Sequence, residues 1–175
     1  DVYAIRKAVD MGLLFFVSNS FSKNLSLYGE RVGGLSVVCK DEAQAKAVQG
    51  QLQFNIRRIY SSPPSHGGHV VDIVMNDEAL FNEWVQEVYV MRDRIKDMRQ
   101  KLRDSLEAKL PGRSFEYITK QNGMFSYTGL TPEQVARIIK DFGIYMVANG
   151  RISVAGLNAS NIDYVANAMA EVLKD

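Results

Sequence analysis

Trp84, Val88, Met91, Ile95, Met98, Leu102, Leu106 and Leu110 step through the sequence by four or three, the spacing of one face of an α-helix. Asn76 or Asp77 starts this helix, and Pro111-Gly112 stops it, because proline cannot continue a helix and glycine suits the turn beyond one. The predicted helix, about 77–110, is the longest in the chain. Such a stripe either forms a coiled-coil seam or lies along a globular body, and the lack of matched flanking charges leaves both open. A chain of 175 residues makes one ordinary domain or two small ones. This helix is the one candidate for a bridge between domains.

On its amino-terminal side, Val2, Ile5 and Val9 predict a helix over 1–10 that ends at Met11-Gly12. Residues 13–17, Leu-Leu-Phe-Phe-Val, predict a buried strand, and 35–39 a second one after Gly33-Gly34. Asp41 caps a helix carrying Ala43, Ala47, Val48, Leu52 and Ile56. The stretch 61–68, rich in serine, proline and glycine, breaks it before a short apolar helix at about 69–75. On the carboxyl side, 115–118 and 124–127 predict strands around a turn at 121–123. Thr131-Pro132-Glu133-Gln134 predicts a helix start with a capping box, and that helix ends near Phe142-Gly143. Short strands at 144–147 and 152–154 flank Asn149-Gly150-Arg151, and Ser160 or Asn161 caps a final helix through Val165, Met169 and Leu173. The class is α/β, followed by a smaller α+β unit.

An apolar share of 46% supports a core, and a chain of this size buries roughly 70% of its extended surface. Lys and Arg number 21 against 20 Asp and Glu, a balance that gives no general reason to bind nucleic acid or an anionic membrane. No apolar run is long enough for a membrane span. The single cysteine, Cys39, excludes an internal disulfide and favours a reducing, cytoplasmic setting. His66 and His69 lack a completing cysteine or carboxylate cluster, so no metal site is expected.

The chemistry concentrates where the first predicted strand empties into Ser18-Asn19-Ser20-Phe21-Ser22-Lys23. The carboxyl end of a strand is where open α/β proteins place ligands. A lysine there can condense with an aldehyde. Hydroxyls and an arginine fork suit a phosphate, and Arg31 follows eight residues later. Pyridoxal phosphate carries both groups. The competing reading is a solvated Ser/Lys loop.

The wider string "SNSFSKNLSLYGERVGGLSVVC" resembles the cofactor-lysine segment of the aspartate/aromatic aminotransferases, the class I, fold-type I pyridoxal-phosphate enzymes. "RRIYSSPPSHGGHVV", "NGMFSYTGL" and "NGRISVAGLN" resemble further segments of that family, in order. "SNSFSK" with "SLYGERVGGLS" resembles the aromatic branch more than the aspartate branch. The resemblance implies the carboxyl-terminal part of such an enzyme: residues 1–90 from the end of the large cofactor-binding sheet domain, 91–175 as the small domain, bridged by the 77–110 helix. It implies that Lys23 holds pyridoxal phosphate covalently and moves the substrate's α-proton, and that Ser20, Ser22 and Arg31 bind the cofactor phosphate. It implies that Arg151 grips the substrate α-carboxylate, while Arg57 reaches a distal carboxylate in the neighbouring subunit of a homodimer. The implied activity is transamination between aromatic or dicarboxylic amino acids and 2-oxoglutarate, in amino-acid biosynthesis.

The family's enzymes are about twice as long, so the resemblance also implies that further pocket residues precede Asp1 and that this chain alone is inactive and aggregation-prone. The plain readings stand beside these roles. Arg57 next to Arg58 is a solvated helix position, Arg151 a surface turn residue, Arg31 a partner for Glu30 or another exposed acid, and Phe125 a core residue, although the resemblance implies an aromatic there near the substrate end. The alternative for the whole chain is a non-catalytic helical fragment that pairs through the 77–110 stripe.

Overall fold

A computed structural model describes residues 2–174. The chain separates into two compact units, Asp1–Val85 and Gln86–Asp175.

The first unit opens with α1, Tyr3–Asp10, which Gly12 closes in the left-handed region at φ +67°. Strands β1, Phe16–Ser20, and β2, Gly33–Val37, form a two-stranded antiparallel ribbon, with Val17 opposite Ser36 and Ser20 opposite Gly33. The expected buried strand at 13–17 is corrected in both register and burial. The strand begins three residues later, and Leu14 and Phe16 are 57% and 66% exposed. A lone two-stranded ribbon has two open faces, and apolar side chains stay wet unless another layer covers them. Helix α2, Glu42–Ile59, follows its expected cap: Asp41 Oδ1 accepts the Gln44 N–H at 2.8 Å. Helix α3, His66–Asn76, starts earlier than its apolar run, taking in both histidines.

Helix α4, Glu78–Lys109, runs from the first unit into the second. Its amino end is capped by Asp77, whose Oδ1 accepts the Leu80 N–H at 3.0 Å. In the second unit it lies along a globular body. Met98, Leu102 and Leu106 are buried in one core with Phe115, Ile118 and Val135. Each such side chain contributes about 1.5–3 kcal/mol by leaving water. Withdrawing that part of the stripe to pair with an outside partner would therefore cost several kcal/mol.

The expected strand at 115–118 is instead helix α5, Glu116–Lys120. Phe115 and Ile118 are both buried, and a spacing of three puts two side chains on one side of a helical turn, where a strand would separate them. Strand β3, Phe125–Tyr127, pairs antiparallel with β4, Arg151–Ser153. The expected strand at 144–147 does not form. Ile144 and Met146 are partly buried while Tyr145 and Val147 are exposed, and among the described residues the backbone bonds of this segment go to the tight turn that follows, through Val147 N–H to Arg151 O at 3.3 Å and Gly150 N–H to Val147 O at 2.9 Å. Helix α6, Pro132–Phe142, has the full capping box of Thr131 and Gln134 and ends on Gly143 at φ +63°. A 3-10 turn, Val154–Gly156, leads to α7, Ile162–Leu173. At its start, Asn161 Oδ1 accepts the Asn158 N–H, while Asn158 Oδ1 accepts from Ser160 and Asn161.

Candidate functional site

Two sets of side chains stand out, one in each unit. In the first, the end of the β1–β2 ribbon carries four of the expected site residues. The ladder continues past Ser20 through Phe21 N–H to Val32 O at 3.2 Å. That bond fixes the turn holding Ser22 and Lys23 beside the turn holding Arg31. Glycine is required at position 33, where a Cβ would lie 2.3 Å from the Asn19 carbonyl oxygen. Ser20 Oγ donates to Ser22 Oγ at 3.0 Å and accepts the Ser22 N–H at 3.2 Å, and Ser22 is buried.

Both cations lean on Tyr28. Lys23 Nζ sits 5.0 Å from the centre of its ring, and Arg31 donates to its carbonyl at 3.1 Å. Arg31 does not pair with Glu30. That carboxylate meets His66 Nδ1 at 3.0 Å, and a Cβ on the adjacent Gly67 would lie 2.8 Å from Glu30 Cβ. Helix α3 thus presses directly on the Arg31 turn, which holds Arg31 at φ +53°. On the other side, Trp84 Nε1–H donates to Asn24 O at 2.8 Å and ties the lysine turn to α4.

This donor set fits pyridoxal phosphate. Two hydroxyls already within hydrogen-bond reach of each other and a guanidinium suit a phosphate, and an exposed amine next in sequence suits an aldehyde. The nearest carboxylate in sequence, Glu30, is engaged by His66, so it does not neutralise Arg31. Arg57 stands apart from this set, exposed in the last turn of α2. Among the described residues it makes no hydrogen bond or ion pair. Arg58 rests on the Phe54 ring at 5.3 Å.

The second set surrounds Arg151, on β4. Gly150 precedes it at φ +81°, where a Cβ would lie 2.9 Å from Leu130 O. The Gly150 carbonyl accepts both the Thr128 N–H, at 3.0 Å, and the Thr128 hydroxyl, at 2.8 Å. Arg151 N–H donates to Asn149 Oδ1 at 3.1 Å. The backbone that presents Arg151 is therefore fixed from both sides. Its guanidinium lies over the Phe125 ring, 4.9 Å from the centre, which leaves its N–H edges open. Phe125 is 41% exposed; it is a wall of the groove and not part of the core. The groove measures about 650 Å³ and is lined by Phe125, Ile144, Met146, Arg151, Asn161 and Tyr164 among others.

Sequence reasoning missed what lies behind this sheet. Arg99 is buried and donates to four oxygens in α5 and around β3. Burial pushes its pKa down. The Tyr117 hydroxyl donates to Thr128 O, and burial raises its pKa against a smaller opposing effect of Arg113. An arginine inside a helical apolar stripe was the available signal for Arg99. Nothing in the sequence marks Tyr28 or Thr128.

Among the described residues no group of three or more His, Cys, Asp or Glu side chains is placed to hold a metal ion, and no helix is long and apolar enough to cross a membrane.

The sequence model of the family "Aminotransferase class I and II" matches residues 1–169. The chain is 54% identical over 173 residues to the aromatic-amino-acid aminotransferase of Escherichia coli (strain K12), spanning 99% of this chain and 44% of that one. Its structure matches that of a psychrophilic aromatic amino acids aminotransferase from Psychrobacter sp. B6, cocrystallised with aspartic acid, at a TM-score of 0.95 and 73% identity, again over 99% and 44% of the two chains. An aromatic-amino-acid aminotransferase from Burkholderia pseudomallei, covalently bound to pyridoxal phosphate, matches at a TM-score of 0.92 and 50% identity over 97% of this chain and 43% of that one. The chain thus spans less than half the length of these relatives.

Proposed function

The chain belongs to the class I and II aminotransferases, and from that premise we propose that it forms part of a pyridoxal-phosphate enzyme exchanging amino and keto groups between aromatic or dicarboxylic amino acids and 2-oxoglutarate. The fold is the carboxyl-terminal part of a fold-type I aminotransferase. Residues 1–90 complete the large cofactor-binding domain and 91–175 form the small domain. The whole enzyme is a cytoplasmic homodimer with shared active sites, serving amino-acid biosynthesis. Its range follows two relatives: one named for aromatic amino acids, another cocrystallised with aspartic acid.

The observation that carries this reading is the ribbon end, where Ser20 closes β1 and Ser22, Lys23 and Arg31 occupy two turns joined by the Phe21–Val32 bond. When bound, pyridoxal phosphate supplies an electron-withdrawing ring that takes up the electrons left when the substrate's α-proton departs. The protein does the rest. Ser20, Ser22 and Arg31 hold the phosphate. Lys23 would hold the aldehyde carbon, and its amine, when free, would take the proton from the substrate α-carbon and later return one. Arg151 orients the α-carboxylate, because a planar guanidinium meets a carboxylate with two parallel hydrogen bonds. Arg57 binds the distal carboxylate of a dicarboxylic substrate in the partner subunit's site.

The test is chemical. The full-length enzyme is mixed with pyridoxal phosphate, reduced with borohydride and mapped by mass. A single adduct on Lys23, together with loss of transamination in Lys23→Ala, is the expected result. Label scattered over many lysines, or a Lys23→Ala enzyme that works at the native rate, ends the proposal.

A further inference from the structure

Arg99 is 3% exposed, and among the described residues its hydrogen bonds go to carbonyl and hydroxyl oxygens, with no ion pair. A buried charge without an acid is costly, and an apolar residue of similar volume is often the more stable choice. What Arg99 does with its donors is specific. One terminal nitrogen donates to Ile118 O at 2.8 Å and Ser126 Oγ at 3.1 Å. The other donates to Gly123 O at 2.8 Å and Phe125 O at 2.7 Å. These oxygens bracket Met124 and the start of β3. Gln121 holds the rest of that strand: its Oε1 accepts from Tyr127 N–H at 2.8 Å and from the Ser126 hydroxyl at 3.0 Å, and its Nε2 donates to Tyr127 O at 3.0 Å. The strand then passes its position to Arg151 in two ways. Tyr127 is the ladder partner of Arg151, and the Phe125 ring carries the Arg151 guanidinium.

We infer that Arg99 is a positioning residue for substrate carboxylate binding: from inside the core it fixes β3, and through Phe125 and the β3–β4 ladder it fixes the fork of Arg151. The inference rests on the proposed role of Arg151. A flexible ammonium cannot reach four oxygens in a fixed plane as a guanidinium does, so lysine is the informative replacement.

The experiment compares Arg99→Lys and Ser126→Ala with the wild type in the full-length holoenzyme. It reads steady-state kinetics well below the melting temperature, cofactor half-saturation, and the same changes in an Arg151→Lys background. Loss of orientation in ground-state binding raises KM more than it lowers kcat. The expected result is a rise in amino-acid KM of about tenfold for Arg99→Lys and about threefold for Ser126→Ala, with kcat and cofactor half-saturation within about twofold. Residues acting through one another are non-additive, so neither change raises KM further once Arg151 is lysine. Unchanged KM, or equal increases with and without Arg151, overturns the inference whatever the melting temperature does, and Ser126→Ala decides alone should Arg99→Lys fail to fold. A wild-type enzyme that does not transaminate defeats the proposed function instead.

Discussion

Lys23 and Arg151 each rest on an aromatic ring, at 5.0 Å from Tyr28 and 4.9 Å from Phe125. Such a contact at an exposed site contributes about 0.5–1 kcal/mol, whereas a hydrogen bond to a charged group contributes roughly 1.5–3 kcal/mol. A carboxylate bound by Arg151, as proposed, would therefore outcompete the ring, and among the described residues neither cation has an ion pair that must break first. For Arg151 the geometry of the fork adds to the charge. Arg151→Lys in the complete enzyme keeps the charge and loses the paired hydrogen bonds. Amino-acid affinity should fall tenfold or more, on the order of 1.4 kcal/mol, measured by titration or as KM; unchanged affinity would remove Arg151 from the site. Lys23 stands out in the sequence by residue type and by its place after a strand, whereas Arg151 is singled out only through the resemblance to the family and otherwise reads as a surface turn residue. The supports of both were not legible there. Phe125 reads as a core residue because aromatic rings usually are, and only the position of Arg151 across the ladder explains why it stays at the surface.

Among the elements, two helix starts set by local rules match the expectation, while the cap expected at Ser160 or Asn161 makes no side-chain cap bond. The capping box at Thr131 and the Asp41 cap depend on residues three apart in sequence, and both form. Those set by distant partners were misread. Residues 115–118 alternate well enough for a strand, but the buried pair Phe115 and Ile118 and the bonds from Arg99 and Glu107 make that segment part of a helical corner. Glu107 offers a test of this corner. Its Oε1 accepts the Phe115 N–H at 3.0 Å and the Arg103 Nε–H at 2.9 Å. Those bonds, the backbone one first, hold its carboxyl below the ordinary value. A depressed folded-state pKa means the ionised form is favoured by folding. The contribution is then complete above the ordinary carboxylate range and disappears as pH falls through the folded value. Glu107→Gln should therefore have a lower urea midpoint than wild type near neutral pH, and the two midpoints should converge in acid. A constant gap between them at all pH values would show that Glu107 does not link this corner to protonation.

At the scale of the molecule the two units differ in what they bury. The second has a continuous core running through α4, α5, α6 and α7. In the first, Ser22 and Gly67 are the fully buried positions among the described residues, and Leu13, Leu14, Phe16 and Leu35 remain about half exposed or more. Exposed apolar ribbon faces are association-prone. The 175-residue chain should show slow amide exchange in the carboxyl half of α4, in α6 and in α7, fast exchange in β1 and β2, and sedimentation that depends on concentration. Uniform protection with a monomer at all concentrations would contradict this. Here the sequence indicates which side chains seek burial, since 13–17 is plainly apolar, but not which layer buries them. That is why the strand was expected in the interior and is found wet. The bond from Trp84 to Asn24 adds a practical consequence. The chain contains one tryptophan, and its indole grips the peptide next to Lys23, so intrinsic fluorescence serves as a built-in optical gauge: a red-shifted emission reports that the lysine turn has let go and filled with solvent.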